Sequence, residues 1–211
     1  MSTHTLKLDE YEEVWLTSDT HFGHANIIKY CNRPFKDTNE MDESIIKTWN
    51  SQVDPHDLVI HLGDVAFAPS DRIKYIMDRL PGHKLLVLGN HDKRENLEYF
   101  FDKGIYDYLE VIRGKQKLVL FHYPIDSWNG KYHHFVHLHG HTHGTYDNRG
   151  LLRFDMGVDC NDMKLVNLDA FCRMSKEQFF DKEAEVRVRD EKFRRLYKIA
   201  SEDKTNIISE E

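Results

Sequence analysis

The sequence predicts an α/β (α+β) fold, built on either one mixed sheet or two packed sheets. In the first half of the 211-residue chain, short apolar runs typical of buried strands alternate with amphipathic segments typical of helices. In the second half, strand-like runs follow one another directly. Five of the apolar runs end in polar side chains that can bind metal ions.

The strands are predicted from short apolar or alternating runs bounded by Gly, Pro, Asn or Asp. The run at 14–17 is taken as the first buried strand. Residues 113–115 join two later strands through a turn. The predicted strands cover residues 14–17, 58–62, 84–88, 109–112, 117–121, 135–139, 151–156 and 164–168.

Start and stop signals set the bounds of the helices. Asp37, with Glu40 three residues later, is a capping signal for a helix that runs to about Val53. Pro69 suits the first turn of the next long helix, and Pro81 ends it. The predicted helices cover residues 25–31, 37–53, 69–80, 96–101 and 175–200.

Residues 1–174 are expected to form the main domain, because 40% hydrophobic residues over this length supply a substantial core. Residues 175–211 are expected to form a charged helix and a tail packed on the same domain, and Ser175 opens the capping box of that helix. Its apolar residues recur every seven positions, which leaves a helical dimer contact open. We therefore expect a monomer or a homodimer.

Composition restricts the partners. A net charge of −7 argues against general nucleic-acid binding and against a membrane surface. No apolar run approaches the ~18 residues needed to span a bilayer, and the polar N-terminal stretch does not resemble a signal peptide. The three cysteines form no CxxC pattern and are expected to be ordinary thiols. The expected location is the cytoplasm.

The ends of the apolar runs carry the residues suited to chemistry. Sites in open α/β sheets form outside the carboxyl ends of the strands, so five such ends can converge on one site. Carboxylate, imidazole and amide oxygen suit borderline-hard divalent cations, and no Cys follows these runs. The strand-end groups are Asp19, His21, Asp64, Asn90, His91, Asp92, His122, His141 and His143.

In their order, these groups resemble the five-block signature of calcineurin-like metallophosphoesterases. The blocks are Asp19-x-His21, Gly63-Asp64, Gly89-Asn-His-Asp92, His122 and Gly140-His-x-His143. The stretch from Asp19 to Ile28, with Arg33-Pro-Phe35 after it, is similar to small bacterial and phage members of the family. The resemblance implies a β-sandwich of two mixed sheets flanked by helices. No cap domain is expected, since the chain has no long insertion.

The resemblance also implies roles for these residues. The implied ligands are Asp19, His21 and His143 for one metal ion and Asn90, His122 and His141 for a second, with Asp64 bridging the two. Two ions about 3.5–4 Å apart would acidify a bridging water for attack on a phosphoester. His91 would stabilise the transition state or protonate the leaving oxygen. Mn²⁺ is the expected metal, with Fe, Co, Ni and Zn as alternatives.

Several neighbouring residues keep two interpretations. Asp92 orients the adjacent His91 or caps the helix that follows. His24 lines the substrate side of the site or caps the helix that begins beside it. His61 is expected to be a buried histidine with satisfied hydrogen bonds or a partner that supports a ligand. His137 and His139 are expected to lie on one face of an exposed strand, without a role in the site. Candidates for holding the substrate phosphate are Arg33, Lys93, Arg94 and Arg149.

The expected activity is hydrolysis of a small phosphorylated substrate, preferably a nucleotide-type phosphodiester, because an uncapped site admits an ester flanked on both sides. The alternatives are a phosphomonoesterase, a dinucleoside polyphosphate hydrolase and a non-catalytic scaffold such as the one in the retromer coat. The presence of His91 argues against the scaffold. The residues after Asp64 and the Asp at 92 differ from the protein Ser/Thr phosphatase branch, so a phosphoprotein substrate is not expected.

Overall fold

The architecture was established from a computed structural model, which describes residues 5–146 and 151–173. The strands are β1 (Thr5–Lys7), β2 (Val14–Thr17), β3 (Leu58–His61), β4 (His83–Val87), β5 (Ile105–Tyr106), β6 (Leu109–Arg113), β7 (Gln116–Leu120), β8 (Val136–His139), β9 (Arg153–Asp155) and β10 (Val166–Asn167). The α-helices are α1 (Ala25–Tyr30), α2 (Thr38–Gln52), α3 (Ser70–Met77) and α4 (Arg94–Leu97). Residues 168–173 are also helical.

The strands form two mixed sheets of five strands each. The first sheet has the order β10-β2-β3-β4-β5, and β2 to β5 are parallel within it. The second has the order β1-β6-β7-β8-β9, in which only the β6–β7 hairpin is antiparallel. The predicted sandwich of two mixed sheets is confirmed, and no cap domain occurs within the two described ranges.

Burial on both faces explains why the strands of the first sheet have continuous apolar sequences. In β3, Leu58 and Ile60 pack with residues of the second sheet, while Val59 between them packs with the helices. The same alternation recurs in β4, where Leu85 faces the second sheet and Leu86 the helices. The result is a layer of helices, then the two sheets, with one core on each face of the first sheet.

Helix α2 shows how local signals place an element. The side chain of Asp37 accepts a hydrogen bond from the backbone nitrogen of Glu40 at 2.9 Å, which is the predicted cap. Met41, Ile45 and Trp49 lie on one face and are buried against the first sheet. The predicted helix is therefore confirmed at its start and along its apolar face.

Three differences from the predicted elements concern short segments. The edge strands β1 and β5 were not predicted, because two or three residues show no alternation of their own. The helix predicted at 96–101 is α4 (Arg94–Leu97), which begins two residues earlier and ends four residues earlier than predicted. The helix predicted at 175–200 and the unit at 175–211 lie outside the described residues. No helix in the described part of the chain has the length and hydropathy to cross a membrane.

Candidate metal centre

Five strands bring their carboxyl ends to one edge of the sandwich: β2, β3 and β4 from the first sheet and β7 and β8 from the second. Backbone hydrogen bonds tie the loops that follow. Asp19 donates to the carbonyl of Gly63 at 2.9 Å, and His21 donates to that of Asp64 at 3.0 Å. His141 donates its backbone N–H to the carboxylate of Asp19 and thereby joins the two sheets.

The loops turn abruptly at several candidate ligands. Their φ angles lie between 48° and 69°, in the left-handed region that non-glycine residues rarely adopt. Such a residue costs on the order of 1 kcal/mol or more, so the surrounding contacts must hold it in place. The five candidate ligands in this conformation are Asp19, His21, Asp64, His141 and His143. These turns direct the side chains towards one point instead of continuing the strands.

The first group of side chains consists of Asp19, His21 and His143, whose ligand atoms all lie within 4.8 Å of one another. Asp19 and His21 are almost completely buried. The Nε2 atom of His21 lies 4.0 Å from Asp19 Oδ1 and 3.5 Å from Asp64 Oδ2. This buried atom has no hydrogen-bond partner among the described residues. A buried nitrogen facing two carboxylates fits a metal ligand.

The second group consists of Asp64, His122 and His141, again within 4.8 Å. His122 Nδ1 donates to the carbonyl of Leu62 at 2.7 Å, so Nε2 is the ring atom that faces the other side chains of the group. Nε2 lies 3.1 Å from Asn90 Oδ1 and 3.6 Å from Asp64 Oδ2. An imidazole nitrogen, an amide oxygen and a carboxylate oxygen therefore converge, and all three are atom types that bind divalent cations.

The pKa shifts in the first group also favour a bound cation. Burial raises the pKa of Asp19 to about 7. Burial, reinforced by the positive fields of His143 and Arg33, lowers the pKa of His21 to about 2, so its imidazole is neutral. Neutral imidazole is the form that binds divalent ions, and a bound cation offsets the cost of burying carboxylates. The donor set therefore fits a metal ion.

Behind the first group, Arg33 and Asp159 form a buried network. His143 Nδ1 donates to Asp159 Oδ2 at 2.7 Å. Arg33 donates to both oxygens of Asp159 at 2.8 and 2.7 Å, and also to the backbone carbonyls of Asp19 and Thr20. Its guanidinium is buried, so the expectation that Arg33 could hold a substrate phosphate is wrong. Asp159 was missed because no motif or spacing marks it in the sequence.

Asp92 fills neither of its two predicted roles. Its carboxylate accepts backbone hydrogen bonds from Asp64 at 2.8 Å, Val65 at 2.9 Å and Gly89 at 2.9 Å. Among the described residues it makes no hydrogen bond to the His91 ring, and the N-cap of α4 is Lys93. Asp92 therefore links the loop after β4 to the loop after β3, a tertiary contact that its sequence position did not indicate.

His91 and His24 lie at the open side of the centre. The His91 side chain is 40% exposed, and its Nε2 lies 4.0 Å from Asp64 Oδ2. His24 occupies the N-cap position of α1, but its side chain makes no capping hydrogen bond. The expectation that the His24 side chain caps this helix is therefore wrong. Its Nδ1 lies 3.3 Å from Nδ1 of His21, and its ring packs on Phe67. His24 therefore lies beside His21 and Phe67 at the edge of the centre.

His61, His137 and His139 are all buried, which confirms the expectation for His61. The expectation that His137 and His139 lie on an exposed strand face is wrong, because β8 is covered on both faces. His61 Nε2 pairs with the hydroxyl of Thr20 at 2.9 Å. His137 Nδ1 pairs with the carbonyl of Val119 at 3.1 Å. His139 bonds the carbonyl of the next residue at 2.8 Å. These three imidazoles use their hydrogen-bonding capacity within the core.

The other basic candidates differ in their surroundings. Lys93 is exposed beside a cavity next to His91, whereas Arg94 donates to the carbonyl of Ile105. Arg149 lies outside the described residues. Two aromatic residues near the centre carried no sequence signal, because each stands alone in a loop. They are Phe67, 5.8 Å from His91, and Tyr123, 4.6 Å from His141 between ring centroids.

The chain is similar to several known proteins. The chain is 32% identical over 170 residues to the uncharacterized protein MJ1445 of Methanocaldococcus jannaschii, covering 77% of this chain and 90% of that protein. It is 28% identical to the Gene 66 protein of Mycobacterium phage D29, over 62% of this chain and 78% of the phage protein. Among solved structures, AQ665 from Aquifex aeolicus, a protein of unknown function, superimposes with a TM-score of 0.64 at 29% identity, over 77% of this chain and 98% of that chain.

The family comparison covers the entire centre. The profile of the calcineurin-like phosphoesterases matches residues 13–193, a range that contains every loop of the candidate metal centre. The residues that the profile spans thus include both side-chain groups and His91. This protein belongs to the calcineurin-like phosphoesterase family.

Proposed function

We propose that this protein uses two divalent metal ions to hydrolyse phosphodiesters of a small nucleotide type. Metal-dependent hydrolysis of a phosphoester follows from the family. One observation carries the two-ion proposal. The single oxygen Asp64 Oδ2 lies 3.5 Å from His21 Nε2 and 3.6 Å from His122 Nε2, so one carboxylate borders both side-chain groups. A carboxylate in this position can bridge two cations.

The proposed ligands divide into two sets that share Asp64. They are Asp19, His21 and His143 on one side and Asn90, His122 and His141 on the other. Mn²⁺ is the proposed metal, because oxygen and nitrogen ligands accept it and the alternatives Fe, Co, Ni and Zn differ mainly in availability. When bound, such ions neutralise phosphoryl charge and lower the pKa of water.

His91 is proposed to orient the shared carboxylate and to donate a proton to the leaving oxygen. The backbone N–H of His91 donates to Asp64 Oδ1 at 2.9 Å and holds the shared carboxylate in place. The ring of the same residue reaches the open side of the centre, 4.0 Å from Asp64 Oδ2. A histidine ring in this position can protonate the leaving oxygen as the phosphorus–oxygen bond breaks. We assign His91 as the general acid.

The shape of the centre favours diesters. Asp19, Asp64 and His122 form a buried floor, whereas Asn90 and His141 lie exposed at the rim. No cap closes this rim in the described ranges, so a phosphate with a substituent on each side can lie across it. A phosphomonoesterase or a dinucleoside polyphosphate hydrolase are the alternative outcomes of the test below.

The test compares a diester with a monoester on Mn²⁺-loaded protein. We expect kcat/KM for bis-p-nitrophenyl phosphate to exceed that for p-nitrophenyl phosphate, with two metal ions per chain. The Asp64→Asn variant should lose both ions and nearly all activity, whereas Asp54→Asn, an exposed residue ahead of β3, should keep both. A faster monoester would make the protein a phosphomonoesterase. No turnover with full metal occupancy would make it a scaffold.

A further inference from the structure

A cavity of about 290 Å³ opens directly beside His91. It lies between the loop after β3 and the segment that leads into α4. Phe67, Pro69 and Leu97 form apolar walls, and Asn96 stands among them. Its volume lies at the lower end of the range for ligand sites, roughly 300–1,000 Å³, which suits one flat ring system.

Phe67 is the unusual wall of this cavity. It is 57% exposed, although large apolar side chains are usually buried. Its ring centroid lies 5.8 Å from that of His91 and 4.8 Å from that of His24. Its backbone N–H donates to the carbonyl of Phe22 at 2.9 Å, and Phe22 is fully buried. A fixed backbone thus presents an exposed aromatic face next to the proposed general acid.

Asn96 is the residue of the cavity wall that can hydrogen-bond the polar edge of a ring. This residue is half-buried in the cavity wall, and its side-chain amide makes no hydrogen bond to another described residue. An amide offers both a donor and an acceptor, which matches the edge of a nucleobase. Lys93 stands exposed in the same wall and adds positive charge near the phosphate.

We infer that this cavity binds the base of the nucleoside that leaves during hydrolysis, with Phe67 as the stacking surface and Asn96 as the polar contact. The inference rests on the proposed function. His91 both borders the cavity and faces the metal centre, so the oxygen that it protonates belongs to the group in the cavity. The substrate class is therefore a phosphodiester whose leaving alcohol is a nucleoside.

The reaction balances with water as the second reactant. The bond between phosphorus and the nucleoside oxygen breaks, and its electron pair stays on that oxygen, which takes the proton from His91. The oxygen of water forms the new bond to phosphorus and keeps one hydrogen. Its other proton restores His91. The products are a free nucleoside and a phosphomonoester.

Nucleosides without phosphate test the cavity independently of hydrolysis. We would measure binding of adenosine, guanosine, cytidine and uridine, with ribose as the probe that lacks a base, to wild type and to the variants Phe67→Ala, Phe67→Tyr and Asn96→Ala. At least one nucleoside should bind at least tenfold more tightly than ribose. Phe67→Ala should weaken that binding by roughly 5- to 100-fold, the typical worth of one base–aromatic stack. Phe67→Tyr should retain it, and Asn96→Ala should change the preference among bases.

Tyr132→Ala is the matched control, since this aromatic residue is 84% exposed outside the cavity wall and its loss should leave nucleoside binding unchanged. Turnover of bis-p-nitrophenyl phosphate is recorded on the same preparations. If the protein hydrolyses the diester but its nucleoside binding is absent or does not depend on Phe67, the base site alone is overturned. Nucleoside binding in a wild-type protein that hydrolyses no phosphoester would overturn the leaving-group assignment and the proposed function together.

Discussion

At the scale of single residues, neighbours in sequence have different tasks. Asn90 turns its amide oxygen towards Nε2 of His122, at 3.1 Å, whereas the adjacent His91 has its ring at the open rim. The two loops that carry Asp64 and His91 are joined by the half-buried carboxylate of Asp92. In the proposed mechanism Asn90 binds a metal ion and His91 acts on the leaving group, while Asp92 holds the two loops together.

The His91→Ala variant should keep its fold and metal content while kcat falls by ~10²–10⁴, the usual contribution of general acid catalysis. Asn90→Ala should instead weaken metal binding. The loss in His91→Ala should be smaller for a nitrophenyl ester than for a nucleoside ester, because nitrophenolate leaves without a proton. Both rates are measured at equal metal occupancy. An equal fractional loss on the two esters would mean that His91 stabilises phosphoryl charge instead of donating a proton.

Arg33 is expected to act through His143. The Arg33→Lys variant cannot reproduce the paired hydrogen bonds to Asp159, since a lysine offers a point charge and not a planar fork. Loss of such outer contacts typically lowers metal affinity by about 10–100-fold. Metal content after dialysis against a buffered free Mn²⁺ concentration measures this directly.

The control for Arg33 is Arg79→Lys, which removes a paired contact with Glu43 at the protein surface. That variant should bind metal as the wild type does. Unchanged metal affinity in Arg33→Lys would show that the network fixes the loop backbone without affecting His143.

At the scale of elements, the centre depends on how closely the strand-end loops approach one another. A Cβ atom at Gly89 would collide with the carboxylate and the backbone nitrogen of Asp64. The loop after β4 can therefore lie against the loop after β3 only because it begins with a glycine. The short loops at the ends of the parallel strands thus hold the candidate ligands close to one another.

The Gly89→Ala variant should lose metal binding and should lower the free energy of unfolding by about 1–3 kcal/mol, as overpacking typically does. Gly114→Ala is the control, because its added Cβ would meet nothing within 4 Å. Gly114 has a positive φ of 57°, so Ala there should cost on the order of 1 kcal/mol without affecting the metal. Full metal occupancy in Gly89→Ala would contradict the tight approach of the two loops.

At the scale of the whole molecule, the centre joins the two sheets. The loop of β8 donates to Asp19 after β2, and His122 after β7 donates to the carbonyl of Leu62 after β3. Two buried carboxylates, Asp19 and Asp64, stand in this junction. Without cations these carboxylates stand in a poorly solvated space and raise each other's cost of ionisation, so metal binding should stabilise the fold as a whole.

Removal of the metal should therefore lower Tm. Metal at 100 times its Kd contributes about 2.7 kcal/mol to the native state. For a chain of this size about 1 kcal/mol corresponds to 2–4 °C, so chelation should lower Tm by roughly 5–10 °C. The measurement is thermal unfolding with excess Mn²⁺ and with EDTA. Asp64→Asn should give the same Tm in both conditions, and a wild-type Tm that does not respond would contradict the coupling.

The sequence by itself determined the strands that carry the site, helix α2 and the family. These features depend on local patterns: apolar runs, the cap at Asp37 and polar residues placed directly after strands. An Asp or His directly after a buried strand is a candidate ligand that can be identified from the local sequence alone. The signature blocks therefore marked the strand-end groups that the structure brings together.

Only the tertiary structure decided the partners of Arg33 and Asp92, the pairing of the edge strands β1 and β5, and the position of Phe67 beside His91. Arg33 meets Asp159 across 126 residues of sequence, and Asp92 bonds the backbone of Asp64 across 28. Contacts between such distant segments leave no periodicity and no fixed spacing. They arise when the two sheets pack, because packing alone determines which loops share the carboxyl-end edge of the sandwich.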